Sequence, residues 1–250
     1  KYFTGHSYSY EKKLLNRQHN ISATQLRDWN VCPKVRSVSL FGKFASHREL
    51  VPNLVLHDTP GPNNSQDEKH GQLTFEAIRN IPFKILIYVL NASQLGTQDD
   101  RKLLEKLRKE TARKRNRTFC FVLNKVDLLD SEKGEELSDY IASARSYLIE
   151  IGFKNPVIIP CVASVALYAR KALAGEPLTR VQSRALQQAL EDLPIRKNTL
   201  LESAELPINI RNRVRQGMKQ LEKAYDACGS NQFTISENQF NQLIISSGLG

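Results

Sequence analysis

Long apolar runs are missing from this chain. The longest, Ile85 to Leu90, covers six residues, against the roughly 18 needed to cross a bilayer as a helix. A membrane-spanning helix is excluded. Cysteine is sparse and unpatterned: Cys32, Cys120, Cys161 and Cys228 are far apart, with no C-x-x-C and no His/Cys ligand spacing. That argues against a disulfide framework and against structural zinc. Cys120 and Cys161 fall inside apolar runs and read as core residues, which fits a reducing, cytosolic compartment. The five histidines form no i,i+4 pair, and none stands out as a general base. The sole methionine is Met218. The chain is therefore expected to be a fragment, a processed form or a piece lacking its first part, with any signal peptide outside it.

Acidic residues are the other deficit. Against 36 Lys and Arg stand 26 Asp and Glu, a formal charge of +10. A surface of that sign favours anionic partners: nucleotide phosphates, acidic lipid headgroups or nucleic acid. At 250 residues and 40% hydrophobic, the chain can bury a substantial core as one large domain or two smaller ones.

The pattern along the chain changes twice. Residues 1–34 are polar and aromatic without a sustained period and read as a partly ordered segment. Val35 to Phe41 looks like an exposed or edge strand ending at Gly42. Four short apolar runs follow: Asn53 to His57, Lys84 to Leu90, Thr118 to Leu123 and Pro156 to Cys161. They do not alternate, as expected of parallel strands buried on both faces. Helices separate them. Thr97-Gln98-Asp99-Asp100 offers a capping box ahead of Leu103, Leu104 and Leu107. A second helix is expected from near Ser131, with Leu137, Tyr140, Ile141, Ala144 and Leu148 on one face. Strand and helix thus alternate over residues 53–174, predicting an α/β core with a mostly parallel sheet covered by helices. Residues 176–250 read as helical, either completing the same domain or beginning a stalk.

Two strand ends carry the chemistry. Asp58-Thr59-Pro60-Gly61 closes the run ending at His57, and Asn124-Lys125-Val126-Asp127 closes the run ending at Leu123. Ligands in parallel α/β sheets bind at the carboxyl ends of the strands. A carboxylate such as Asp58 can accept hydrogen bonds from water on a phosphate-bound Mg²⁺, which keeps several of its waters. The Gly61 N–H can point at a terminal phosphate, because no side chain blocks the backbone's approach. Asp127 can accept two hydrogen bonds, from guanine N1–H and its exocyclic amine, which adenine does not offer. Asn124 supplies an amide able to bridge the guanine edge and neighbouring loops, and the Lys125 stem can lie along the base or sugar. The bland alternative is an Asn-Lys turn with Asp127 capping the following helix.

The order D-T-P-G-P-N, N-K-V-D-L-L and then Pro160-Cys161-Val162-Ala163-Ser164 resembles the dynamin-like branch of the large GTPases, the bacterial members most. The resemblance covers residues 35–175. It implies a Ras-like P-loop GTPase core with a helical C-terminal extension, GTP/GDP binding and GTP hydrolysis with Mg²⁺. It also implies self-association of GTPase domains across their nucleotide faces. By the same resemblance Asp58, Thr59, Gly61, Asn124, Lys125 and Asp127 contact nucleotide or its Mg²⁺, with Ala163 and Ser164 in the final guanine-contacting loop. Aligning Pro160 puts Val162 where the family carries serine and Ala163 at its alanine. The family's switch threonine falls at Thr4 or Thr24. A further point departs from the pattern. No G-x-x-x-x-G-K-[S/T] phosphate loop occurs anywhere. Either that loop lies upstream of Lys1, or the protein keeps base recognition without hydrolysis, as a scaffold for nucleic acid, a protein partner or acidic membrane.

The densest basic cluster is Arg108-Lys109 followed by Arg113, Lys114, Arg115 and Arg117. It falls at the end of an expected helix, where cations favour the exposed carbonyls. It is also the candidate surface for an acidic membrane or nucleic acid. The expected location is cytoplasmic, or peripheral at a membrane or the nucleoid.

Overall fold

In a computed structural model of the chain, the described residues are 4–8, 13–41, 55–59, 68–112, 118–129, 133–196, 199–227 and 235–249. They are α/β, and the chain divides into two compact units, Lys1–Asp58 and Thr59–Gly250.

In the first unit, β1 (Thr4–Tyr8) pairs antiparallel with β2 (Leu14–Gln18) on one side and with β3 (Ser37–Phe41) on the other. Between β2 and β3 lies α1 (Ala23–Val31). Ser22 starts α1 with a complete capping box: its Oγ accepts the Gln25 N–H, and Gln25 Oε1 accepts the Ser22 N–H. Among the described residues of the polar stretch 1–34 lie two strands and a helix. Their strands were hidden because β2 is exposed at Leu14, Leu15, Asn16 and Arg17, so no alternation marks it. The expected edge strand is present as β3, paired with β1.

The run Asn53 to His57 differs from the expected strand in its described part. Its described part, Val55 to His57, is in no regular element, and Val55 and Leu56 are 70% and 64% exposed. A strand needs a partner for its backbone groups, and none pairs with it among the described residues.

The second unit holds the parallel sheet. Its strands β4 (Ile85–Asn91), β5 (Thr118–Asn124) and β6 (Val157–Cys161) lie side by side in that order. Before β4 comes α2 (Glu68–Asn80). The crossovers are α3 (Gln98–Thr111) and α4 (Leu137–Ile151). One sheet face packs on these helices: Leu90, Phe121, Leu123 and Ile158 meet Phe75, Leu104, Leu107, Ile141, Ala144 and Leu148. Phe121 is fully buried, with its ring 5.0 Å from that of Phe153.

The other face differs from expectation. The outward side chains of β4, Ile85, Ile87 and Val89, are about 60% exposed. Burial on both faces therefore fails at β4, because α3 and α4 cover only the side of Leu86, Tyr88 and Leu90. The two sheet edges also differ. At β6, Glu205 occupies the edge: its Oε2 accepts the Ile158 N–H, its own N–H donates to Ile158 O, and its carboxylate pairs with Arg145. At β4, no described residue pairs with the outer edge.

Helix starts explain two smaller departures. Thr97 Oγ1 accepts the Asp100 N–H as expected, but the Asp100 carboxylate does not reach back. It accepts instead from Tyr88 (2.8 Å) and Tyr147 (3.2 Å), tying β4 and α4 to the first turn of α3. Burial and the Asp100 charge push both tyrosine hydroxyls well above their ordinary range. Asp100→Ala should therefore strand two phenol groups and cost about 1–3 kcal/mol, read as a lower denaturation midpoint with unchanged slope. Helix α4 begins at Leu137 rather than near Ser131, after a turn at Gly134, whose φ is +79°.

The remaining helices are α5 (Ala163–Leu173), α6 (Arg180–Arg196), α7 (Thr199–Ser203), α8 (Ile208–Ala227) and α9 (Ile235–Ile244), with a π-turn over Ile245–Leu249. Val165 and Ala169 of α5 share a core with Leu186 and Leu193 of α6 and Leu243 and Ile244 of α9. Helices α6 and α9 thus pack against α5. Among the described residues no helix is long and apolar enough to cross a membrane.

Candidate functional site

The parallel register brings Asn91, Asn124 and Cys161 side by side at the carboxyl ends of β4, β5 and β6. This is where an open α/β sheet presents ligand-binding loops. Asn91 turns inward on its own loop: its Oδ1 accepts the Ser93 N–H, starting a short 3₁₀ turn over Ala92–Gln94. Asn124 reaches sideways instead. Its Oδ1 accepts the Ala163 N–H at 3.0 Å and lies 3.5 Å from Cys161 Sγ. One side chain therefore fastens the loop after β5 to the start of α5.

Lys125 follows in the left-handed conformation, φ 65° and ψ 32°. A non-glycine residue there costs on the order of 1 kcal/mol and persists only where its surroundings hold it. The consequence is a sharp reversal into a 3₁₀ turn over Val126–Leu128. Val126 is buried as the anchor of that turn, while Lys125 and Asp127 are exposed. Asp127 has no hydrogen-bond or ion-pair partner among the described residues. Nor does it cap the following helix, since α4 starts ten residues later with Glu136 at its N-cap. The bland alternative for Asp127 is therefore not realised.

Cys161 completes this corner. Burial and the nearby Asp127 carboxylate push its thiol up to about 11, against the opposing pull of the Ala163 N–H. At neutral pH it is a protonated, unreactive packing group. Cys120, half-buried one strand over, is also raised by burial.

Ala163 and Ser164 form the first turn of α5, Ala163 half-buried and Ser164 exposed. A brace for this loop was not read in the sequence. The Val162 N–H donates to Ser247 O at 2.9 Å, and Ser247 is buried with its hydroxyl donating to Ile244 O. Gly248 sits against the end of β6 with φ +80°, and a Cβ there would lie 2.4 Å from Pro160 O. The signal was the Ser246-Ser247-Gly248 string, legible only once its partner strand is known. Gly248→Ala meets both a backbone clash and a disfavoured φ, and should cost more than about 1 kcal/mol. Faster hydrogen exchange at Val162 would show where the strain goes.

Other expected residues belong to other segments of the chain. Asp58 and Thr59 lie in the irregular stretch 55–59, Asp58 exposed and Thr59 half-buried. Gly61 lies outside the described residues. Thr4 is the first residue of β1, and Thr24 lies in the first turn of α1. Among the described residues no group of three or more His, Cys, Asp or Glu could hold a metal. A lone Asp58 suits only a cation that arrives already held by phosphate oxygens. Of the basic cluster, Arg108 is engaged: its Nε donates to Gly152 O at the C-cap of α4. Lys109 is exposed in the last turn of α3, and Arg113, Lys114, Arg115 and Arg117 lie outside the described residues.

No protein-family model, no curated protein and no solved structure matches the chain.

Proposed function

We propose that this chain is the guanine-nucleotide-binding part of a dynamin-like GTPase with a Ras-like core. The observation that carries the proposal is the Asn124–Ala163 hydrogen bond beside an exposed Asp127 that has no partner among the described residues. An Asn-Lys-x-Asp string closing a strand is a weak signal alone. Here its asparagine fastens the two loops that a base edge would meet. Its lysine takes a strained conformation that turns Asp127 out, and its aspartate is left with both oxygens open to a ligand. Asn124, Lys125 and Asp127 select guanine; Ala163 and Ser164 border the base. The sequence resemblance assigns Asp58, Thr59 and Gly61 to the phosphate end, with Mg²⁺ entering as part of the Mg·GTP substrate.

A GTPase of this kind also requires a strand leading into a phosphate loop. The edge of β4, unpaired among the described residues, and its exposed Ile85, Ile87 and Val89 offer a place for one, whereas Glu205 occupies the β6 edge. Extending the protein upstream through such a strand should slow amide exchange across β4 and confer GTP turnover. Unchanged exchange in β4, with no turnover, would count against the proposal.

A further inference from the structure

We propose that the outer face of α8 binds the phosphate backbone of duplex DNA, independently of any nucleotide held at the ends of β4–β6. Between Ile208 and Gln220 this helix carries Arg211, Arg213, Arg215 and Lys219 and no Asp or Glu. The inner face is fixed. Met218 is buried, Val214 is half-buried, and Arg211 donates to Ala204 O at 2.7 Å. At about 100° per residue, the opposite arc runs from Arg215 through Lys219, Asn212, Gln216 and Gln220 to Arg213. All six are exposed.

The composition of that arc selects the partner. A helix lying in a membrane interface presents a broad apolar face. Here the exposed apolar residues are Ile208 and Ile210 at one end, and the centre is amide. Arg, Lys, Asn and Gln together are the side chains that contact phosphate and sugar. An α-helix about 10–12 Å across fits the B-DNA major groove, about 12 Å wide. Arg213 and Arg215, at opposite borders of the arc, then face the phosphates of opposite walls. The deep, narrow groove of duplex RNA admits no helix.

Fluorescence anisotropy of a labelled 20-base-pair DNA of arbitrary sequence, titrated without nucleotide across a salt series, tests this. The Arg213→Gln/Arg215→Gln/Lys219→Gln variant should bind at least about tenfold more weakly at low salt. Its slope of log affinity against log salt should flatten by about 2–3, close to 0.9 for each phosphate no longer neutralised. A charge-matched control, Lys154→Gln/Arg180→Gln/Arg184→Gln, removes exposed cations elsewhere and should leave the slope within about one unit. An unchanged slope in the α8 variant, or an equal change in both variants, would overturn the proposal. So would stronger wild-type binding to phosphatidylserine vesicles or duplex RNA than to the DNA. Loss of guanine selectivity in the same protein would not affect the outcome, since no nucleotide is present.

Discussion

Replacing Asp127 with asparagine is expected to move the protein's preference from GTP to xanthosine triphosphate by a factor of about a hundred or more. Guanine offers two donors on one edge, N1–H and the C2 amine. The Asp127 carboxylate is exposed and has no partner among the described residues, so under the proposed reading it can accept both. Asparagine has one acceptor and one amine, and the amine would face the guanine amine with nothing to accept either hydrogen. Xanthine carries a carbonyl at C2, and the pairing is restored. A site built around hydrogen bonds rejects the mismatched partner strongly, because its own polar groups are left unsatisfied. Competition between the two nucleotides measures the swap. Stability should change by no more than about 0.5 kcal/mol, because the side chain is on the surface.

The second large effect is expected at Asn124, where two substitutions separate structure from recognition. Asn124→Ala removes the acceptor of the Ala163 N–H and lets the loop after β6 part from the loop after β5. A part-buried donor left without its partner costs about 1–3 kcal/mol, and guanine affinity should fall at least about tenfold. Asn124→Asp keeps an oxygen for the Ala163 N–H, so stability stays near that of the parent protein. It also loses the amide donor and sets a second carboxylate near Asp127, so affinity should fall as in the alanine variant. Equal stability loss in both variants would mean that the Ala163 hydrogen bond does not hold the loops together.

Much of the sheet-bearing unit was legible in the sequence, and the reason is visible residue by residue. The apolar runs forming β4, β5 and β6 are short, rich in Ile, Val, Leu and Phe, and bounded by turn residues, so their existence did not depend on tertiary context. Their strand-end positions placed Asn124 and Cys161 correctly in one row. What failed depended on partners far along the chain. Val55 and Leu56 look like strand residues, but no described strand pairs with them. In the hairpin of β1 and β2, Ser7 is buried while Leu14 and Leu15 are exposed, so no apolar alternation marks it and only its pairing reveals it. Asp100 looked like half of a capping box until Tyr88 and Tyr147 competed for its carboxylate. The brace from Ser247 and Gly248 joins the last helical turn to a loop more than eighty residues earlier, beyond the reach of any local pattern.

The central claim, that Asn124 and Asp127 read guanine, is tested most directly by titrating GDP and ADP into the protein with Mg²⁺ by calorimetry, up to millimolar nucleotide. The account predicts saturable binding of GDP and at least about a hundredfold weaker binding of ADP, whatever the absolute affinity, with the GDP signal lost in Asp127→Asn. Indistinguishable titrations for the two nucleotides, whether both bind or neither does, would contradict it.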